Sequence, residues 1–226
     1  MSTSERRQRH RASLRREILD AASRLFVEEG FERATLRRIA AQIEYSPTTI
    51  YLYFRDKNEL LSAVCEETFA QLAVTLERLQ RTSGTPLGYL REALRTYVDF
   101  GLANPNQYTV TFLRQVQGKR GAGGVAGGFG QSIGGRAFDL LRQGVGACVE
   151  SGDIRTASID MTAQALWAGV HGLTALLITE PGASPVSRTA LVDHTIDTLI
   201  AGLRTPAPAA PRTQVHPKSK KWDFMD

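Results

Sequence analysis

At 226 residues the chain has room for one or two domains and a sizeable core, and its formal charge of +5 suits a nucleic-acid partner without proving one. Its two cysteines, Cys65 and Cys148, stand far apart with no metal-ligand spacing, which argues for reduced, partly buried thiols. The longest apolar run, 165–178, is short for a bilayer and the charged N-terminus precedes no apolar segment, so a cytoplasmic protein with no membrane partner is expected.

Residues 1–8 read as a disordered basic arm. Arg6, Arg7, Arg9, Arg11, Arg15 and Arg16 crowd this end of the chain against the single acid Glu5, a distribution that attracts phosphate. From Arg9 to Glu29, the positions Leu14, Ile18, Ala22, Leu25 and Phe26 mark one face of an amphipathic helix, and Gly30-Phe31 is its stop.

Between Thr35 and Phe54 two short helices are predicted around a tight turn. Leu36, Ile39, Ala40 and Ile43 recur at helical spacing, and the pattern breaks at Glu44-Tyr45-Ser46. Ser46 then caps a second helix with Pro47 at its first position, where a missing N–H costs nothing. Ile50 and Phe54 share the inward face, which turns Thr48, Thr49, Tyr51 and Tyr53 outward. A short helix showing hydroxyls and phenols and no acid fits a recognition element that enters the major groove beside phosphates. Downstream, Asp56 and Glu59 have the spacing of a capping box, and Lys57 sits in the first turn of the helix they open, a ready phosphate site. By residue type, Thr35, Tyr51, Tyr53 and Lys57 would hold phosphates, with Arg37 and Arg38 adding backbone contacts and Ser46 also counted among the DNA-binding residues. Pro47, Thr48, Thr49 and Leu52 would face base edges or thymine methyls. Part of Tyr53 would serve an aromatic mini-core.

Gly30-Phe31, Thr35, Ile39-Ala40, Ser46, Thr49-Ile50-Tyr51, Tyr53-Phe54, Lys57 and Leu60-Leu61 stand as they do in TetR-type (tetracycline-repressor-like) transcriptional regulators. Residues 12–62 thus resemble the DNA-binding domain of that family, and the pattern T-I-Y-x-Y-F-x-x-K-x-x-L is its most specific part. The family's usual turn glycine is Glu44 here. That position commonly takes φ > 0, so about 1 kcal/mol of strain is expected there.

The helix capped at Asp56 continues through Val64, Phe69, Leu72, Leu76 and Leu79 to Ser83-Gly84, long enough to join two domains and transmit a tilt. Pro86 opens another helix, carrying Leu87, Leu90, Leu94, Tyr97 and Val98, which stops at Asn104-Pro105. A shorter piece over 106–116 presents Tyr108 and Phe112. Residues 118–135 are glycine-dense but lack both G-x-x-x-x-G-K-[ST] and a βαβ context, so they read as a flexible loop over a pocket and not as a nucleotide site. Helices follow over 137–150 and 158–179, the second apolar almost all round, with Gly169 and Gly172 permitting close approach. Pro181 to Pro185 breaks the chain, a last helix carries Val192, Ile196, Leu199, Ile200 and Leu203, and 205–226 read as a disordered tail. The fold class is all-α: a three-helix helix-turn-helix domain over 9–62, then a helical regulatory and dimerisation domain over 63–204.

Trp167, His171 and Gly172 resemble the W-x-x-x-H-G signature of a TetR C-terminal subfamily, a likeness extending over about residues 86–203. It implies a homodimer whose last two helices form a four-helix bundle, and the apolar surface of those helices independently favours an isologous two-fold interface. The resemblance also implies an effector pocket. Tyr97, Phe100, Tyr108, Phe112, Phe138, Trp167 and His171 are its candidate walls, suited to a hydrophobic or aromatic effector with one or two polar handles. The plainer alternative for Trp167 and His171 is a packed tryptophan beside a satisfied core histidine. His10, His171, His194 and His216 are scattered and no nucleophile or metal motif is present, so no catalytic residue, metal or cofactor is expected. The expectation is a regulator, most often a repressor, released from a roughly palindromic double-stranded operator by its effector. A ligand-independent regulator and a sequence-tolerant architectural protein are the alternatives.

Overall fold

The computed structural model describes residues 3–113, 134–182 and 186–204. Among them every regular element is a helix, apart from one isolated antiparallel bridge between Ile154 and Arg204. Helix α1 spans Thr3–Glu28, α2 Leu36–Gln42, α3 Pro47–Tyr51, α4 Lys57–Thr82, α5 Pro86–Ala103 and α6 Pro105–Tyr108. A π-helical turn over Thr109–Leu113 continues α6, and α7 (Gly135–Glu150), α8 (Ile159–Thr179) and α9 (Arg188–Ala201) complete the set.

The helix starts follow from side-chain caps. Thr35 accepts the Arg38 N–H at 3.3 Å, Ser46 the Thr49 N–H at 3.2 Å, and Asp56 the N–H groups of Asn58 and Glu59, each at 2.9 Å. Each such bond satisfies a donor that the helix leaves open and contributes about 1 kcal/mol. The box at α4 is shifted by one residue, because the Glu59 carboxylate accepts the Arg55 N–H, at 2.6 Å, and not that of Asp56. Between α2 and α3, Tyr45 N–H reaches Ala40 O at 2.9 Å and Glu44 N–H reaches Ala41 O at 3.3 Å, the two bonds of a Schellman ending. That ending needs a left-handed residue, and Glu44 takes it with φ of 60°.

Two cores result. The first gathers Leu14, Ile18, Ala22, Leu25 and Phe26 of α1, Leu36, Ile39 and Ala40 of α2, Ile50 and Phe54, and Leu60 to Cys65 on the first third of α4. The second lies among α4, α5, α7, α8 and α9, where Leu72 and Leu76 meet Leu90, Leu94, Val98, Leu141, Val145, Leu166, Val170 and Ile196. Arg91–Asp197 and Arg95–Asp193 tie α5 to α9, and Arg136–Glu77 ties α7 to α4. Being open to solvent on at least one side, these pairs set register more than stability, at about 0–1 kcal/mol each.

Several boundaries differ from expectation. The arm over 1–8 is helical from Thr3 onward, because arginine propagates a helix readily once α1 is anchored by its own core. The line at 62/63 does not separate the cores, since Ala63, Val64 and Cys65 belong to the first. The piece expected over 106–116 starts one residue earlier, at Pro105, and widens into the π turn. Helix α8 runs 21 residues and is long and apolar enough to cross a membrane, longer than the run at 165–178 indicated. Its Ala163, Leu166, Val170, Leu173 and Leu177 are nevertheless buried in the second core. Of the two glycines on α8, only Gly169 is tightly packed: a Cβ there would lie 2.8 Å from a Leu199 methyl, whereas Gly172 faces open space. The glycine-dense loop at 118–135 lies, except for its last two residues, outside the described residues, as does the tail at 205–226.

Candidate nucleic-acid interface and ligand cavity

The turn between α2 and α3 sets up an exposed face. Pro47 and Thr48 are exposed at the start of α3, Tyr51 is 55% exposed and Leu52 73% exposed at its end, and no acid lies between Ser46 and Arg55. Ile50 and Phe54 are buried beneath them, at 0% and 3%. Two residues expected to point outward are half-buried. Thr49 turns its hydroxyl to that of Ser46, 2.9 Å away, and Tyr53 packs on the first core with the Arg11 guanidinium 5.7 Å from its ring centroid. Ser46 and Thr35 are committed to capping, which leaves Arg37 free-standing on the surface of α2 while Arg38 pairs with Glu29.

Lys57 is placed otherwise than expected. Its ammonium donates to the carbonyl oxygens of Phe31 and Glu32 at 2.9 and 3.2 Å and stands 4.3 Å from the Phe31 ring centroid. It therefore ties the α1–α2 turn to the start of α4. The first turn of α4 keeps its dipole, but in this conformation the lysine faces the protein.

In the second core a cavity of about 60 Å³ opens among α4, α5, α7 and α8. Tyr97, Phe112, Phe138 and Trp167 line it as expected, with Phe69, Leu72, Leu76, Ala93, Leu94, Gly134, Ala137, Leu141 and Val170. Tyr97 is the one ionisable side chain among these described walls. Burial pushes its phenol well above the ordinary range, so it stays protonated.

Tyr108 and His171 lie behind the wall and organise it. His171 stacks on Trp167 with ring centroids 4.9 Å apart, and its Nδ1 is 3.0 Å from the Tyr97 hydroxyl and 2.6 Å from that of Tyr108. Burial lowers the imidazole pKa, which keeps the ring neutral, and a neutral ring has one hydrogen-bonding function at Nδ1. It engages one phenol, while the two phenols bond each other across 3.2 Å. Tyr108, only 1% exposed, is pushed up to about 12 by burial. His171 is thus a half-buried, hydrogen-bonded histidine beside the cavity, not one of the residues that line it. Phe100 faces a different, polar cleft, shared with Arg16, Asp20, Glu67 and Gln71 where α1, α4 and α5 converge.

Two family models match this chain. Residues 18–64 fit the bacterial regulatory proteins of the tetR family, and residues 90–199 fit the tetracyclin repressor-like C-terminal domain. The chain belongs to the TetR family. This TetR-family chain is 41% identical over 69 residues to an HTH-type transcriptional repressor of Mycobacterium tuberculosis, covering 30% of this chain and 37% of that one. An uncharacterized HTH-type transcriptional regulator of Haemophilus influenzae is 32% identical over 68 residues, covering 30% and 36%. The match therefore spans about a third of each of these relatives' length. Among solved structures, the fatty acid degradation regulator FadR of Bacillus halodurans superposes with a TM-score of 0.71 at 19% identity, over 85% of this chain and 97% of that one. FadR of Bacillus subtilis, solved in complex with stearoyl-CoA, gives 0.70 at 20% identity over 83% and 98%. At these identities the likeness establishes the shared all-helical fold.

What sequence reading missed in this TetR-family chain is the connection between the cores. Val110, in the π turn, is 2% exposed and belongs to the first core, while its neighbours Tyr108 and Phe112 belong to the second. Gln107 donates to Asp20 of α1 at 2.9 Å. Phe112 sits edge-on to Phe69 of α4, centroids 5.1 Å apart, at the cavity wall. No periodicity announces a π turn, so this bridge had no sequence signal. The added cavity walls had one, the apolar faces of α4, α5 and α7, but it is the same signal that marks a solid core.

Proposed function

We propose that this chain is a homodimeric repressor that reads a roughly palindromic operator through α3 and leaves it when a neutral, largely apolar or aromatic molecule enters the cavity. The observation that carries this reading is that both parts lie on one helix. Helix α4 joins the recognition unit through Leu60, Leu61 and Val64 and walls the cavity through Phe69, Leu72 and Leu76. On the DNA side, Tyr51 and Arg37 supply phosphate contacts and Pro47, Thr48 and Leu52 meet base edges and methyl groups. Thr35, Ser46 and Thr49 hold the backbone of α2 and α3 in place, and Tyr53 contributes its hydroxyl from a half-buried ring. Lys57 fixes the turn beneath them.

For the effector, the walls matter most. A bound charge would find no counter-charge among the described lining residues, so binding one there would leave it desolvated and unpaired. The Tyr97 hydroxyl, set by His171 and Tyr108, supplies one polar handle. The Bacillus subtilis regulator was solved in complex with stearoyl-CoA, which supports a small-molecule effector; here we assign the cavity to an uncharged, apolar moiety. That an apolar space stays open between α4, α5, α7 and α8 beside its own aromatic side chains supports a ligand-responsive regulator over a ligand-independent one.

The dimer would form on α8 and α9. Met161 and Leu176 of α8 are 73% and 50% exposed, with exposed alanines between them, on a helix whose opposite side is core.

Selection of DNA from a random pool, run with Tyr51→Ala in parallel, tests the DNA part. The expected outcome is an enriched two-fold-symmetric motif with half-sites one helical turn apart or a multiple, lost in the variant. Salt-sensitive binding without a motif and indifferent to Tyr51→Ala would favour the architectural alternative.

A further inference from the structure

The first turns of α1 run against their own electrostatics. Residues 4–13 are exposed at every position, yet helical. They carry Arg6, Arg7, Arg9 and Arg11 with one acid, Glu5, at the helix end where open N–H groups already make the potential positive. Arginines there are disfavoured by the dipole, and Arg7 and Arg11, four apart, repel each other. No buried side chain in the segment offsets this. An anion lying alongside would.

The direction of that anion is fixed by packing. Arg7 and Arg11 precede Leu14 and Ile18 at spacings of four, three and four, so all four lie on one helix face. That face is core at Leu14 and Ile18, 4% and 0% exposed, and becomes arginine where α1 runs past the end of the core. The Arg11 guanidinium lies over the Tyr53 ring and Arg15 over Phe54, immediately after the recognition helix.

We propose that the N-terminal turns of α1 are a second DNA-contacting element, laid against the duplex that flanks the half-site read by α3, with Arg7 and Arg11 on phosphates. The proposal rests on the DNA-binding reading above. Duplex DNA fits better than an anionic membrane surface because residues 4–13 offer no large apolar side chain to enter a bilayer. Ten helical residues extend about 15 Å, the length of roughly four base pairs.

The test uses the full chain and the motif selected from the random pool, on duplexes with long and with trimmed flanks. Arg7→Gln/Arg11→Gln is expected to lower the slope of log affinity against log salt by about 0.9 for every phosphate contact removed. Trimming should weaken the unaltered chain to the level of this variant and leave the variant unchanged. Arg9→Gln, on the opposite face, should behave as the unaltered chain, and Arg7→Lys/Arg11→Lys should retain the slope, which a merely structural role would not predict. Equal slopes for the unaltered chain and the double glutamine variant, or equal losses on both duplexes, would overturn the proposal alone. Failure of the unaltered chain to enrich any motif would overturn the DNA-binding reading and this proposal with it.

Discussion

Glu44 holds φ of 60° at the turn before the recognition helix, a conformation that costs a residue with a Cβ about 1–2 kcal/mol. Glycine would remove the strain and return part of the gain through the flexibility of the unfolded chain. Glu44→Gly is therefore expected to raise stability by about 1 kcal/mol, read as a higher urea midpoint with an unchanged slope. This strain was legible in the sequence through the resemblance alone, which sets Glu44 where the family usually has a turn glycine. The neutrality of His171 was not, because it depends on burial, which the packing of other elements supplies. Its folded pKa lies below the unfolded value of about 6.5, so between the two the unfolded state holds more protons. Stability is then complete above about pH 6.5 and is lost as pH falls through that value toward the folded pKa. His171→Gln should flatten the fall in melting temperature between about pH 7 and pH 5; an unchanged profile would show that other groups control it.

Among the elements, those with side-chain caps were readable. Ser46 with Pro47, and Asp56 with Glu59, announce α3 and α4 within a residue of where they begin. Composition misled at α1, where a run of arginines reads as a solvated arm although it prolongs a helix whose core contacts lie downstream. The pocket was half legible. Aromatic residues stand out in a sequence, and four of the seven proposed ones reach the cavity, but the leucines that complete it look like any core leucine. Leu141, on α7, faces that space. Leu141→Trp should fill it, at a cost of about 1–3 kcal/mol if the packing is tight. The expected result is retained DNA binding with loss of the thermal upshift that an effector gives the unaltered chain. A shift of undiminished size would place the effector elsewhere.

For the molecule as a whole, the exposed apolar side of α8 is an unmet demand among the described residues. A charge at its centre should prevent pairing. Leu176→Arg is expected to sediment as a monomer and to bind the operator at least about a hundredfold more weakly, since the second half-site is then no longer held close by the first. A dimer of undiminished affinity would move the interface off this face. Such long-range matters were the least legible, because side chains that meet a second subunit and side chains that meet the chain's own core are both simply apolar.

The length of α4 has a mechanical consequence. From Phe69 at the cavity to Lys57 at the first core the helix forms an arm of about 18 Å. Pivoting that arm by about 5° at Phe69 swings its far end by about 1.6 Å. With one arm in each subunit, the gap between the two reading heads would change by about 3 Å against a half-site repeat of about 34 Å, enough to put them out of phase with the groove. Under the proposed function, a side chain displaced by a fraction of its own width in the cavity would thereby be magnified at the DNA.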